Sequence, residues 1–161
     1  MDDRALVAQQ LGRAPRAYRR VARRCPFGRP AVTEQAPRDD SGAPFPTTYY
    51  LTCRHLVAAV SRLEAAGGVE RWSAAARTDP ELAASLERAN DEQCRLRRRL
   101  ADGWEHPSLE LGIGGSGGRG SLKCLHAHAA FALANPGYEL GERILAEVEP
   151  LWPDRCCSDP V

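Results

Sequence analysis

Two hydrophobic periods run through this chain, a twofold alternation in a short early stretch and a helical repeat nearly everywhere else. Residues 2–11 predict a short helix closed by Gly12 and Pro15, the usual stop signals. A second helix is predicted from Pro15 to Arg24, with proline in its first turn. Arg16, Arg19, Arg20 and Arg23 follow i, i+3, i+4, i+7 spacing, and Cys25-Pro26 ends the run. Residues 31–36 and 47–53 predict two short strands, the second dense in β-branched and aromatic side chains. A hairpin of two strands is marginal alone and must lie on helices.

Leu56, Val57, Val60 and Leu63 then mark an apolar helical stripe that ends at Gly67-Gly68. Thr78-Asp79-Pro80-Glu81 opens the longest predicted helix, whose apolar positions are Leu82, Leu86, Ala89, Leu96 and Leu100. The glycine-rich run Leu111–Gly120 interrupts the pattern. Ser121 is then expected to cap a helix carrying Lys123, Cys124, His126 and His128, stopped by Asn135-Pro136-Gly137. A last helix covers about residues 139–149. The expected architecture is α+β and mostly helical, with four to five helices packed with one small two-stranded β-hairpin. Residues 1–161 form a single domain, its glycine-rich loop at about 112–120 lying before the Lys123-Cys124-Leu125-His126 helix.

Composition changes this picture little. The 161 residues are 43% hydrophobic and 27% charged, with a formal net charge of only +1, so no global field points to nucleic acid or membrane. Lys123 is the only lysine against many arginines, a bias that a GC-rich genome produces. No stretch approaches the roughly 20 apolar residues of a membrane span, and the start Met1-Asp2-Asp3-Arg4 lacks the order of a signal peptide. Both points predict a cytoplasmic protein, where thiols stay reduced.

Six cysteines in that compartment call for a use other than disulfides. Cys25, Cys53, Cys124, Cys156 and Cys157 fall at predicted element ends, where distant segments can converge, whereas Cys94 lies inside the long helix. Thiolates with histidine hold zinc tetrahedrally, and sets of four hold iron–sulfur clusters. There is no C-x-x-C pair, so the fold would have to assemble such a site. On a helix, Cys124 and His128 share a face and His126 points away. Cys124 near a helix start would also suit a nucleophile with a lowered pKa. The glycine-rich run lacks the phosphate-loop order and predicts a flexible connection. Arg13, Arg16, Arg19, Arg20 and Arg23, in the Arg13–Arg29 face, form a candidate surface for an acidic protein or nucleic acid, with Tyr18 placed to stack on a base.

Several short motifs occur in a specific order: Gln10-Leu11-Gly12-Arg13, Cys25-Pro26-Phe27-Gly28, Pro44-Phe45-Pro46-Thr47 with Tyr50-Leu51-Thr52-Cys53, Gly112-Ile113-Gly114-Gly115, and Lys123-Cys124-Leu125-His126. Together they resemble the bacterial family catalogued as domain of unknown function 501, from about Leu6 to Cys157. The resemblance implies no established activity. It gives weight to Cys25, Cys53, Cys124 and one of Cys156 or Cys157, and it ranks His126 above His128. His55 stands where the family pattern has proline and is not taken as a ligand. Members are often encoded beside a septum-formation initiator-like division protein and an exopolyphosphatase-like enzyme, which points to cell-division or polyphosphate proteins as partners. The leading expectation is therefore a cytosolic protein with a zinc or iron–sulfur centre held by Cys25, Cys53, Cys124 and Cys156 or Cys157, with His126 able to replace one thiolate. The alternatives are the basic interaction module and a thiol enzyme centred on Cys124.

Overall fold

The computed structural model describes residues 1–158. Its first helix, α1 (Asp3–Leu11), starts where Asp2 accepts the Ala5 amide and stops at Gly12, whose φ of 70° suits a residue without a Cβ. Three strands follow: β1 (Tyr18–Arg24), β2 (Pro30–Gln35) and β3 (Tyr49–Leu51). They form one antiparallel sheet in the order β1-β2-β3. The helices are α2 (Arg54–Ala65), α3 (Gly68–Thr78), α4 (Pro80–Ala101), α5 (Leu125–Ala134) and α6 (Glu139–Leu145). The architecture is α+β, about half helical, with six α-helices and a three-stranded sheet among the described residues rather than four to five helices and a two-stranded hairpin.

The largest departure from the sequence reading is β1, which replaces the helix expected over Pro15–Arg24. Every residue of β2 is buried, so this strand lies between two neighbours that satisfy its backbone on both edges. β1 supplies the second neighbour, pairing Val21 with Thr33 and Arg23 with Val32, with register irregularities along the way. The arginines of this segment therefore do not share a helical face. Arg19 and Arg20 both reach the buried carboxylate of Glu34, at 3.1 and 2.7 Å, and Arg16 binds Asp39 at 2.8 Å. Arg23 donates to the Leu133 carbonyl, and Arg13 is exposed after the turn at Gly12. An arginine-lined, bulged outer strand also discourages pairing with a second chain.

Behind the sheet, α5 forms the centre of the core: Phe131 meets Tyr49 and Tyr138 edge-on, and Leu125, Ala129 and Ala130 are fully enclosed. α4 is capped by Asp79, whose side chain accepts the Glu81 and Leu82 amides. Its Arg97 is 0% exposed and donates to the Phe45 carbonyl at 2.9 Å, tying the segment before β3 to the helix. The glycine-rich run is not a loose linker. Asn90 of α4 accepts the Ile113 amide and donates to the Arg119 carbonyl, and a short 3-10 turn at Ile113–Gly115 carries positive φ at Gly114 and Gly115. Among the described residues no helix is long and apolar enough to cross a membrane.

Candidate functional site

The start of α2 and the start of α5 carry the chemistry-bearing side chains. Cys53 immediately precedes α2 and is 2% exposed. The end of the chain returns over it and sets the half-buried Cys157 with its Sγ 3.6 Å from the Cys53 Sγ. Both are free thiols. Burial raises the Cys53 thiol to about 11, against amide hydrogen bonds from Leu56 and His55 and reinforced by the neighbouring Cys157. Burial also works to raise Cys157, but the amides of His55 and Arg54, with hydrogen bonds from Cys53 and Ser158, outweigh it and pull this thiol below its ordinary value. The two sulfurs thus lie side by side at the positive end of a helix with their thiols shifted in opposite directions. Cys156, its neighbour in sequence, is buried.

The other proposed metal ligands have settings of their own. Cys25 is held in a tight turn, its amide bonded to the Arg29 carbonyl and its carbonyl to the Gly28 amide. Cys124 precedes α5, which begins at Leu125, so Lys123 and Cys124 are outside the helix and Ser121 does not cap it. Glu64 of α2 supplies the cap instead, accepting the Leu125 amide at 2.6 Å. The same carboxylate holds His126 Nδ1 at 3.0 Å, and His126 Nε2 contacts Ser61 Oγ at 3.2 Å and the Val57 carbonyl at 3.3 Å. Nε2 accepts from the Ser61 hydroxyl when it is unprotonated and donates to the Val57 carbonyl when it carries the proton. Among the described residues no three His, Cys, Asp or Glu side chains converge where a metal ion could be held. Among the described residues, then, no metal-binding cluster is formed from the expected set of Cys25, Cys53, Cys124, Cys156, Cys157 and His126.

The thiol of Cys124 also behaves differently from the lowered pKa expected at a helix start. Burial is the largest influence and raises it, aided by Glu64, against the Ala127 and His126 amides and Lys123. His128, which shares the core face of α5, is 1% exposed and bonded through Nδ1 to the Tyr138 hydroxyl at 2.7 Å. Burial drives its pKa down to about 3, so it is a neutral core residue.

Between these two helix starts lies a cleft of about 350 Å³, bordered by the end of α1, by β3, and by the first turns of α2 and α5. Leu11, Tyr50, Leu51 and Val57 give it apolar walls, and Cys124, just before α5, and His126, in its first turn, border it. Three of the sequence motifs, those at residues 10–13, 50–53 and 123–126, meet here. Leu11 and Val57 carry no reactive group, and only the fold brings them to Cys124.

Comparison with known proteins adds the following. No curated protein and no solved structure matches the chain. One family model, described as protein of unknown function (DUF501), matches residues 21–146, from within β1 to just past α6 and including Cys25, Cys53, Cys124 and His126. With most of its length covered by that model, the chain belongs to the DUF501 family.

Proposed function

We propose that the protein is a thiol–disulfide exchange centre whose working pair is Cys157 and Cys53. The observation that carries this reading is the 3.6 Å approach of two free sulfurs at the amino end of α2, one half-buried and one enclosed. Their opposite pKa shifts add to it, because exchange needs an accessible thiolate to attack and a second thiol to resolve. With a low-molecular-weight disulfide as oxidant, the Cys157 thiolate attacks one sulfur and the other leaves as a thiolate, which takes up a proton. Cys53 then loses its proton and attacks the Cys157 sulfur, expelling the second small thiol. Two protein thiols are oxidised to one disulfide, and one small disulfide is reduced to two thiols.

The test treats the reduced protein with glutathione disulfide and maps the products by mass spectrometry. Wild type is expected to form the Cys53–Cys157 disulfide, and Cys53→Ser to stop at a glutathione adduct on Cys157. Alkylation of native wild type should label Cys157 before Cys53 and Cys124. Six thiols persisting under conditions that oxidise dithiothreitol would overturn the reading. So would zinc or iron bound stoichiometrically after anaerobic purification, since two thiolates on one tetrahedral zinc stand about 3.8 Å apart.

A further inference from the structure

The cleft between α1, β3 and α5 is built independently of the sulfur pair, and its lining is chemically selective. Its volume of about 350 Å³ falls within the roughly 300–1,000 Å³ of small-molecule sites. Leu11, Tyr50, Leu51 and Val57 offer contact to a hydrocarbon or ring. Of the lining residues Arg54 is cationic and His126 presents an imidazole, and among the described residues no aspartate or glutamate lines the cleft. The carboxylate of Glu64 is engaged by His126 and the Leu125 amide. Lys123, one residue from Cys124, places its Nζ 3.9 Å from where a Cβ on Gly115 would stand, a position that Pro46 also borders.

A second kind of observation points the same way. Thr52 lines the cleft and is only 1% exposed, yet its hydroxyl has no hydrogen-bond partner among the described residues. Gln10, also in the wall, donates from Nε2 to the Pro30 carbonyl while its Oε1 has none. Buried polar atoms without partners are rare in native proteins, and each calls for an account of what supplies its bond. An apolar chamber with a cation, unmatched polar atoms and, among the described residues, no acid in its walls fits one class of ligand.

We infer that this cleft binds a small amphipathic anion, with an apolar body against Leu11, Tyr50, Leu51 and Val57 and a carboxylate or phosphate head near Arg54 and His126. The probes are octanoate, octyl phosphate, octanol and octylamine, each titrated into the full-length reduced protein by calorimetry, with amide chemical shifts recorded in parallel. At least one of the two anions is expected to saturate, and their order of affinity identifies the head group. Octanol should bind about tenfold more weakly than the better anion and octylamine more weakly still, the difference a charge-assisted hydrogen bond makes. Shifts should gather at Leu11, Tyr50–Arg54 and His126–Ala127. Arg54→Gln should weaken the anion but not octanol, and Val57→Trp should weaken both by filling the chamber. Equal binding of octanol and the anions, shifts confined to another surface, or no saturation by either anion would overturn the inference. Because octanoate offers no sulfur to exchange, its failure would leave the dithiol reading untouched, and the reverse holds as well.

Discussion

Two histidines only two residues apart on α5 show how far environment overrides residue type. His126 is tied to Glu64 and Ser61 at the edge of a cleft, whereas His128 is enclosed against Tyr138 and held neutral. The enclosed one has a consequence for acid stability. Its pKa is about 3 in the fold against 6.5 for the free side chain, so below pH 6.5 the unfolded chain takes up a proton that the folded chain refuses. Stability is therefore expected to fall as pH drops through that window, by up to about 1.4 kcal/mol per pH unit. His128→Asn keeps a polar atom near Tyr138 and cannot be protonated, so it should flatten the dependence. Denaturant midpoints at about pH 7.5 and about pH 4.5 measure this, and an unchanged difference between them would show that other groups set it.

Among elements, those specified by local signals were legible in sequence, and those specified by distant partners were not. The start of α4 at Asp79-Pro80 is written in its own residues. β1 is not, because the spacing of Arg16, Arg19, Arg20 and Arg23 fits a helix, and only the need of β2 for a second neighbour and of Glu34 for cations makes it a strand. The start of α5 depends on Glu64, 61 positions earlier in the chain, which no local motif announces. The candidate site follows the same rule: motifs singled out Cys53 and Cys124, but the choice of Cys157 over Cys156 belongs to the returning chain end. α3 was hidden for another reason, since Gly67-Gly68 reads as a stop although Gly68 is the first residue of a helix. A Cβ on Gly68 would lie 2.6 Å from the Leu63 carbonyl oxygen and 2.8 Å from Leu125 Cδ1. Gly68→Ala, which favours an exposed helix, should here destabilise by about 1–3 kcal/mol through overpacking. Urea unfolding decides the sign, and a stabilised variant would mean that α3 moves away from α5 at little cost.

At the scale of the molecule, the sheet and the helices are joined at few polar points, and Arg97 is the deepest of them. Its guanidinium reaches Phe45 and Thr48 from the later part of α4, without a carboxylate partner among the described residues, and desolvation lowers its pKa. Arg97→Ala should cost about 3 kcal/mol through the void and the stranded Phe45 carbonyl, and Arg97→Met should recover part of that. Thermal melts of the two variants test the order, and equal losses would assign the effect to the charge alone.

The meeting of Cys53 with Cys157 joins positions 104 residues apart in sequence. Once linked, they would turn nearly two-thirds of the polypeptide into a closed ring that contains α2 through α6. A ring of that size has lost roughly 4.7 kcal/mol of unfolded-chain entropy before any contact is formed. Bond formation at one edge of the fold would thus be felt as topology everywhere, and the redox history of two sulfurs would be read out as the lifetime of the whole molecule.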